Sequence, residues 1–365
     1  VVINSNGHGI SLVSNDDLSK LKRRRFKMRI KNIHENFTIV DAHLDLLYDI
    51  EINRSKGYKR VIEREYLPEF KEGGINIIVS SIFIDKDFLP ELALRKALDQ
   101  ISAFYSELDE AEENFALVKN LRDLEETLAQ GKIGILLSFE GVEPLLDDIN
   151  LLRIFYELGV RIVGLTWSRR NYAADGCSYS KFQDSKNGLS DFGRQVVKEA
   201  ERLGMLIDVS HLNDAGFWDV IEISTQPIIA SHSNCRALNG IMRNLTDEQI
   251  RALAKTGGVI GINAVSTLVA ERNADVKALV DHVDHLRDVA GIHHIGLGLD
   301  FCDKIFELPN PRKNPKSKGL YDVIEGHKNI YQLTEELINR GYGDDEIRLI
   351  YGENFLRVFK EVILK

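Results

Sequence analysis

His43 and Asp45 stand two residues apart at the end of the apolar stretch Thr38-Ile39-Val40-Asp41-Ala42. Alternate side chains of a strand share a face, so the imidazole and the carboxylate point the same way. Such a pair at a strand end can hold one metal ion. Alone, a His-x-Asp is weak evidence, and its weight comes from recurrence. Glu140 ends Leu136-Leu137-Ser138-Phe139-Glu140, and His211 ends Ile207-Asp208-Val209-Ser210-His211. His232 ends Ile228-Ile229-Ala230-Ser231-His232, and Asp300 ends Gly296-Leu297-Gly298-Leu299-Asp300. Each has an ordinary reading: a histidine hydrogen-bonded at a rim, a salt-bridged Glu140, a helix-capping Asp300. Six such residues, all closing strand-like runs, are hard to explain as independent accidents. Buried ionisable groups are costly unless paired or bound to metal. Three imidazoles and two carboxylates suffice for two divalent ions if one carboxylate bridges them. Nitrogen and oxygen ligands suit zinc, with manganese, cobalt or iron as other candidates.

The elements that must position these residues alternate along the chain. Strands are expected at 37–43, 75–83, 132–140, 160–167, 205–211, 227–231, 258–264 and 294–300. Helices are expected at 150–158, 190–203, 213–223, 246–255 and 275–290, with two or more in the tract 91–130 and at least two after residue 321. The strands are apolar on both faces, as buried parallel strands are. Eight strands alternating with helices predict a (β/α)8 TIM-like barrel, class α/β, with extra C-terminal helices. A doubly wound open sheet competes, but no GxGxxG follows the first strand. In a barrel the C-terminal strand ends form one rim, and active sites sit there. The polar, aperiodic stretch 168–188 is expected to be a functional loop. Arg243-Asn244 follow the sixth strand. Arg243 could fork onto a substrate carboxylate, although a surface arginine ahead of a helix is the plainer reading. His8, His34, His282, His285, His293, His294 and His327 are assigned structural or surface roles.

The chain of 365 residues carries a net charge of −9. That argues against a nucleic-acid partner and gives no reason for binding an anionic membrane. No run of about 18 apolar residues marks a transmembrane helix. Cys177, Cys235 and Cys302 are sparse and odd in number, which suggests reduced thiols in a cytoplasm-like compartment. Residues 1–36 read as an N-terminal extension ahead of a barrel spanning 37–365. Within the extension, 1–27 read as an upstream or vector-derived piece; the other reading is an arm packed on the domain. The basic run Lys20-Leu21-Lys22-Arg23-Arg24-Arg25 is taken as a solvated face.

Several of these stretches together resemble the membrane (renal) dipeptidase family of binuclear zinc peptidases, bacterial type. They are Asp41-Ala42-His43-Leu44-Asp45, Ser138-Phe139-Glu140-Gly141, Leu165-Thr166-Trp167, Asp208-Val209-Ser210-His211, Ser231-His232-Ser233, Arg243-Asn244, Gly298-Leu299-Asp300-Phe301 and Gly352-Glu353-Asn354-Phe355. The resemblance implies that His43 and Asp45 hold one zinc, that His211 and His232 hold the other, and that Glu140 bridges both. It implies that Arg243 binds the substrate's terminal carboxylate and that Asp300 shuttles the proton as an activated water attacks a dipeptide. A homodimer is also implied, and the bacterial cytoplasmic form is the expected comparison. One departure stands out. Many members carry a histidine directly after the Leu-Thr of the fourth strand, where this chain has Trp167; Asn171 or Arg170 is the expected substitute in substrate binding. Two other readings remain: the same metal site acting on lactones, cyclic amides or N-acyl amino acids, and a non-catalytic metal-binding barrel.

Overall fold

The computed structural model describes residues 15–181, 186–305 and 320–363. His8 and the first fourteen residues of the expected extension lie outside them. Nine parallel strands form the sheet: β1 Ile39–Leu44, β2 Ile75–Ile82, β3 Phe115–Leu117, β4 Ile133–Glu140, β5 Val160–Gly164, β6 Leu206–Asp208, β7 Ile229–Ala230, β8 Val259–Ile262 and β9 Ile295–Leu297. Eight of them close a ring in the order β1-β2-β4-β5-β6-β7-β8-β9, with Asp41 opposite Leu297 at the closure. This is the (β/α)8 barrel that the alternation predicts.

β3 is the strand that sequence reasoning missed. It divides the tract expected to be all helical into the helices Ala93–Glu110 and Leu121–Ala129. Its residues pair with Ile133 to Ile135 of β4, while the later part of β4 pairs with β5. Three residues are too few to display a period of two.

Apolar side chains pack in two layers. Outside the ring, residues such as Ile39, Ile78, Leu137 and Ile207 meet the helices. Inside it, Val40, Val79, Leu136, Ile162, Leu206 and Val259 cluster with Phe355 and Phe359 of the helix Asn354–Val362. Above that plug the barrel is narrow. A Cβ added to Gly298 would fall 1.7 Å from the Ser231 carbonyl oxygen. Only glycine lets Ser231, just past β7, come so close beneath the rim.

The helix Asn15–Asn36 exposes its basic run and docks its last turns. Ile33 is fully buried, Arg29 Nε donates to Asp344 at 2.6 Å, and His34 Nε2 lies 2.7 Å from the Thr334 hydroxyl. The three cysteines are free and buried.

His282 gives the fold a measurable acid sensitivity. Its Nδ1 accepts the Cys235 backbone N–H at 3.1 Å, and its Nε2 faces the Val269 carbonyl at 2.8 Å. That pattern requires a neutral ring. Burial lowers its pKa from 6.5 to about 4. The unfolded chain therefore binds more protons between those values, so the contribution is complete above pH 6.5 and is lost as pH falls toward 4. The loss is about 3 kcal/mol over that window. Denaturant titrations from pH 7.5 to 4.5 should show a shallower pH dependence for His282→Gln than for the parent chain.

Candidate metal centre

β1 does not alternate strictly. Its register against β2 slips between Asp41 and Leu44. The slip lets Val40 and Ala42 fill the barrel floor while His43 and Asp45 still face the mouth. His211 and Asp300 take left-handed backbone conformations, φ 65° and 55°, just past β6 and β9. Strain of this kind persists where the surroundings hold a side chain in a required direction.

The five expected ligands are brought together. His43 Nε2 lies 3.8 Å from Asp45 Oδ1, 3.6 Å from Glu140 Oε1 and 3.7 Å from Asp300 Oδ1. His211 Nε2 and His232 Nε2 lie 2.9 and 3.5 Å from the same Glu140 oxygen, and 2.9 Å from each other. All five are buried. His43 Nε2 and Glu140 Oε2 have no hydrogen-bond partner. Buried polar atoms are normally satisfied, so convergent orphans of both ligand types fit cations.

Burial, helped by the Arg243 charge, pushes the His43 pKa down to about 3. Burial, with the Arg243 charge nearby, holds His211 and His232 well below the usual range, which favours the neutral rings that can ligate. Glu140 and Asp300 are pushed well up, by burial first and then by Asp45. An acid cluster of this sort is relieved by positive charge.

A second layer, which sequence reasoning missed, aims the ligands. The Ser231 hydroxyl donates to Asp208 Oδ2 and lies 2.6 Å from His232 Nδ1. The Ser168 hydroxyl lies 2.8 Å from His211 Nδ1. Because the Ser231 hydroxyl already donates to Asp208, it accepts the proton of His232 Nδ1 and leaves that ring's Nε2 lone pair towards Glu140; a proton on His211 Nδ1, given to Ser168, would do the same for His211. Ser81 donates to Asp45, and Asn263 Nδ2 donates to Asp300 Oδ2 at 2.8 Å. In the sequence a hydroxyl stands directly before both His211 and His232, and only Ser231 of the two reaches a ring nitrogen.

Arg243, for which a surface position was the plainer reading, is 2% exposed. Its Nη1 donates to Ser233 at 2.9 Å and its Nη2 to the His232 carbonyl at 2.8 Å; Nε has no partner. Among the described residues no carboxylate forms an ion pair with it.

Asn171 is not brought to the cluster. Its amide donates to the Leu165 carbonyl and accepts from the backbone of Ala173 and Ala174, so it braces its own loop. It lines a separate hollow beside Pro90 and Leu146. Arg170 points outward and pairs with Asp175. The cavity over the cluster, about 330 Å³, is instead walled by Phe83, Trp167 and Tyr179, with Asp85, Val265, Cys302 and Leu320. Cys302 and its neighbours Asp303 and Asp322 make another close group of ligating types, but Asp322 accepts the backbone N–H groups of the other two and serves to fold that turn.

The family model described as membrane dipeptidase, peptidase family M19, matches residues 27–364. The chain belongs to this family. Two similar solved structures agree. The dipeptidase AC, a family M19 metallopeptidase, is 26% identical with a TM-score of 0.80, over 91% of this chain and 100% of its own. A metallopeptidase from Rhodobacter sphaeroides, bound to a phosphinate mimic of the dipeptide L-Ala-D-Ala, is 25% identical with a TM-score of 0.79, over 89% and 99% of the two chains. An amidohydrolase from Pseudomonas aeruginosa, 22% identical with a TM-score of 0.75 over 92% and 99%, shares the fold. This M19 member is thus a metal-dependent dipeptidase by family, a hydrolase of peptide bonds. No helix among its described residues is long and apolar enough to cross a membrane.

Proposed function

We propose that this chain is a zinc-dependent dipeptidase working with two metal ions, in which His43 and Asp45 hold one, His211 and His232 hold the other, and Glu140 is shared. The observation that carries the reading is the meeting of three buried imidazoles on one buried Glu140 oxygen, within 2.9 to 3.6 Å. When bound, such ions polarise a carbonyl and acidify a water. The chain's own residues do the rest. Arg243, buried and without an ion pair among the described residues, takes the C-terminal carboxylate of the dipeptide and sets its length. Asp300, oriented by Asn263, accepts a proton from the attacking water and passes it to the leaving amine. Trp167 and Phe83, with ring centroids 5.4 Å apart, wall off solvent from the reacting bond. Three free, buried thiols support a reducing, cytoplasm-like compartment, and a homodimer is the assembly expected from the family.

The test is chelation, then assay on a dipeptide panel that includes L-Xaa-D-Xaa members, then addition of zinc. Activity should vanish with the chelator and return with the metal. Activity unchanged throughout would overturn the reading. Turnover of lactones or N-acyl amino acids in place of dipeptides would keep the metal centre and move the bond.

A further inference from the structure

Tyr179 is a polar side chain of the cavity to which the reading above gives no role. Tyr179 lines it together with Asp45, Glu140, His211 and Asp300. Its ring centroid stands 6.4 Å from that of His211 and 6.5 Å from that of Trp167. No hydrogen bond to its hydroxyl exists among the described residues, and 41% of the residue is exposed. The mount is nevertheless fixed on both sides. Cys177 N donates to the His211 carbonyl at 2.7 Å, and Gly176 bridges Leu212. On the other side, Met242 N donates to the Ser180 carbonyl at 2.8 Å. The short segment thus ties a metal-ligand backbone to the turn that carries Arg243, with the phenol between them. Trp167 is less suited to a polar task. It is packed between Phe83 and the Arg169 guanidinium, which lies 5.2 Å from its ring centroid.

We propose that Tyr179 is a catalytic residue, its hydroxyl donating a hydrogen bond to the oxygen of the scissile carbonyl as that oxygen gains charge in the tetrahedral state. A phenol keeps its proton at neutral pH and is a ready donor. An uncommitted donor beside the reacting bond stabilises the charged state more than the ground state. The inference rests on the hydrolase reading but not on which acyl bond is cut, because acyl transfer from an ester or an amide develops the same oxyanion.

The test is Tyr179→Phe in the full chain loaded with zinc, assayed on whichever amide or ester the parent hydrolyses. Expected is a fall in kcat on the order of 100-fold with KM within about twofold and metal content unchanged. Affinity for a phosphinate dipeptide, whose tetrahedral oxyanion imitates the transition state, should weaken in parallel. If kcat and phosphinate affinity both stay within about twofold of the parent, the proposal fails. A rise in KM alone also overturns it, since the hydroxyl then only binds substrate. A parent chain that neither hydrolyses any such bond nor binds the phosphinate would sink the hydrolase reading, and this one with it.

Discussion

Replacing Glu140 by glutamine should lower kcat/KM on the order of 1,000-fold or more while leaving the metal-free fold intact. Every candidate ligand nitrogen leans on this one carboxylate. His211, His232 and His43 lie 2.9, 3.5 and 3.6 Å from its Oε1. An amide offers one neutral oxygen in place of two charged ones and cannot serve two cations equally. The metal-free protein should respond in the opposite sense. There Glu140 is buried beside Asp45 and Asp300, each of which disfavours its charge. Removing that charge relieves the repulsion, so the Tm without metal should stay level or rise. The gain in Tm on adding zinc should shrink, because a ligand stabilises only in proportion to its binding to the folded state. Paired melting curves with and without zinc measure both effects. An undiminished zinc-dependent gain would show that Glu140 does not hold the ions.

The second large effect is expected at Arg243. Its guanidinium is almost wholly buried, bound to Ser233 and the His232 carbonyl, and forms no ion pair with a carboxylate among the described residues. A buried cation in that condition is costly, and structures retain such groups where a ligand supplies the counter-charge. Arg243→Met should cost about 100-fold in kcat/KM for dipeptides, carried mainly by KM. Dipeptide amides, which lack the carboxylate, should be hydrolysed as poorly by the parent as by the variant. Arg243→Lys should restore little, because a point ammonium cannot reproduce the planar fork. Steady-state kinetics on matched dipeptides and their amides measure the contrast. Equal losses on both substrates would assign Arg243 a structural role instead.

The barrel was legible because each buried parallel strand is an apolar run, and the rim because five of the eight runs stop at a polar residue. Glu140, His211 and His232 announce themselves in that way. The elements that escaped notice share a different physics. β3 is too short to carry a period. The slip in β1 depends on pairing with β2, which no local pattern encodes. Asp208, Ser231 and Ser168 aim the histidines, but a serine before a histidine looks like any other pair until the strands are side by side. Asn171 lay at the right distance along the chain, yet its amide closes its own loop. Tyr179 sat in an aperiodic stretch where nothing but the fold says which side chain turns inward.

The ring closes where Asp41 meets Leu297, so the first strand and the last are neighbours. His43 and Asp45 stand at the top of one, and Asp300 at the top of the other. Glu140 meets His43 from one side and His211 and His232 from the other on a single oxygen. The two candidate sites together therefore span the ring from β1 to β7, and Asp300 joins them only across the seam. A partly formed barrel could gather one set of ligands, but not both sets together with Asp300. Hydrolysis regained during refolding should accordingly report the docking of the last strand against the first.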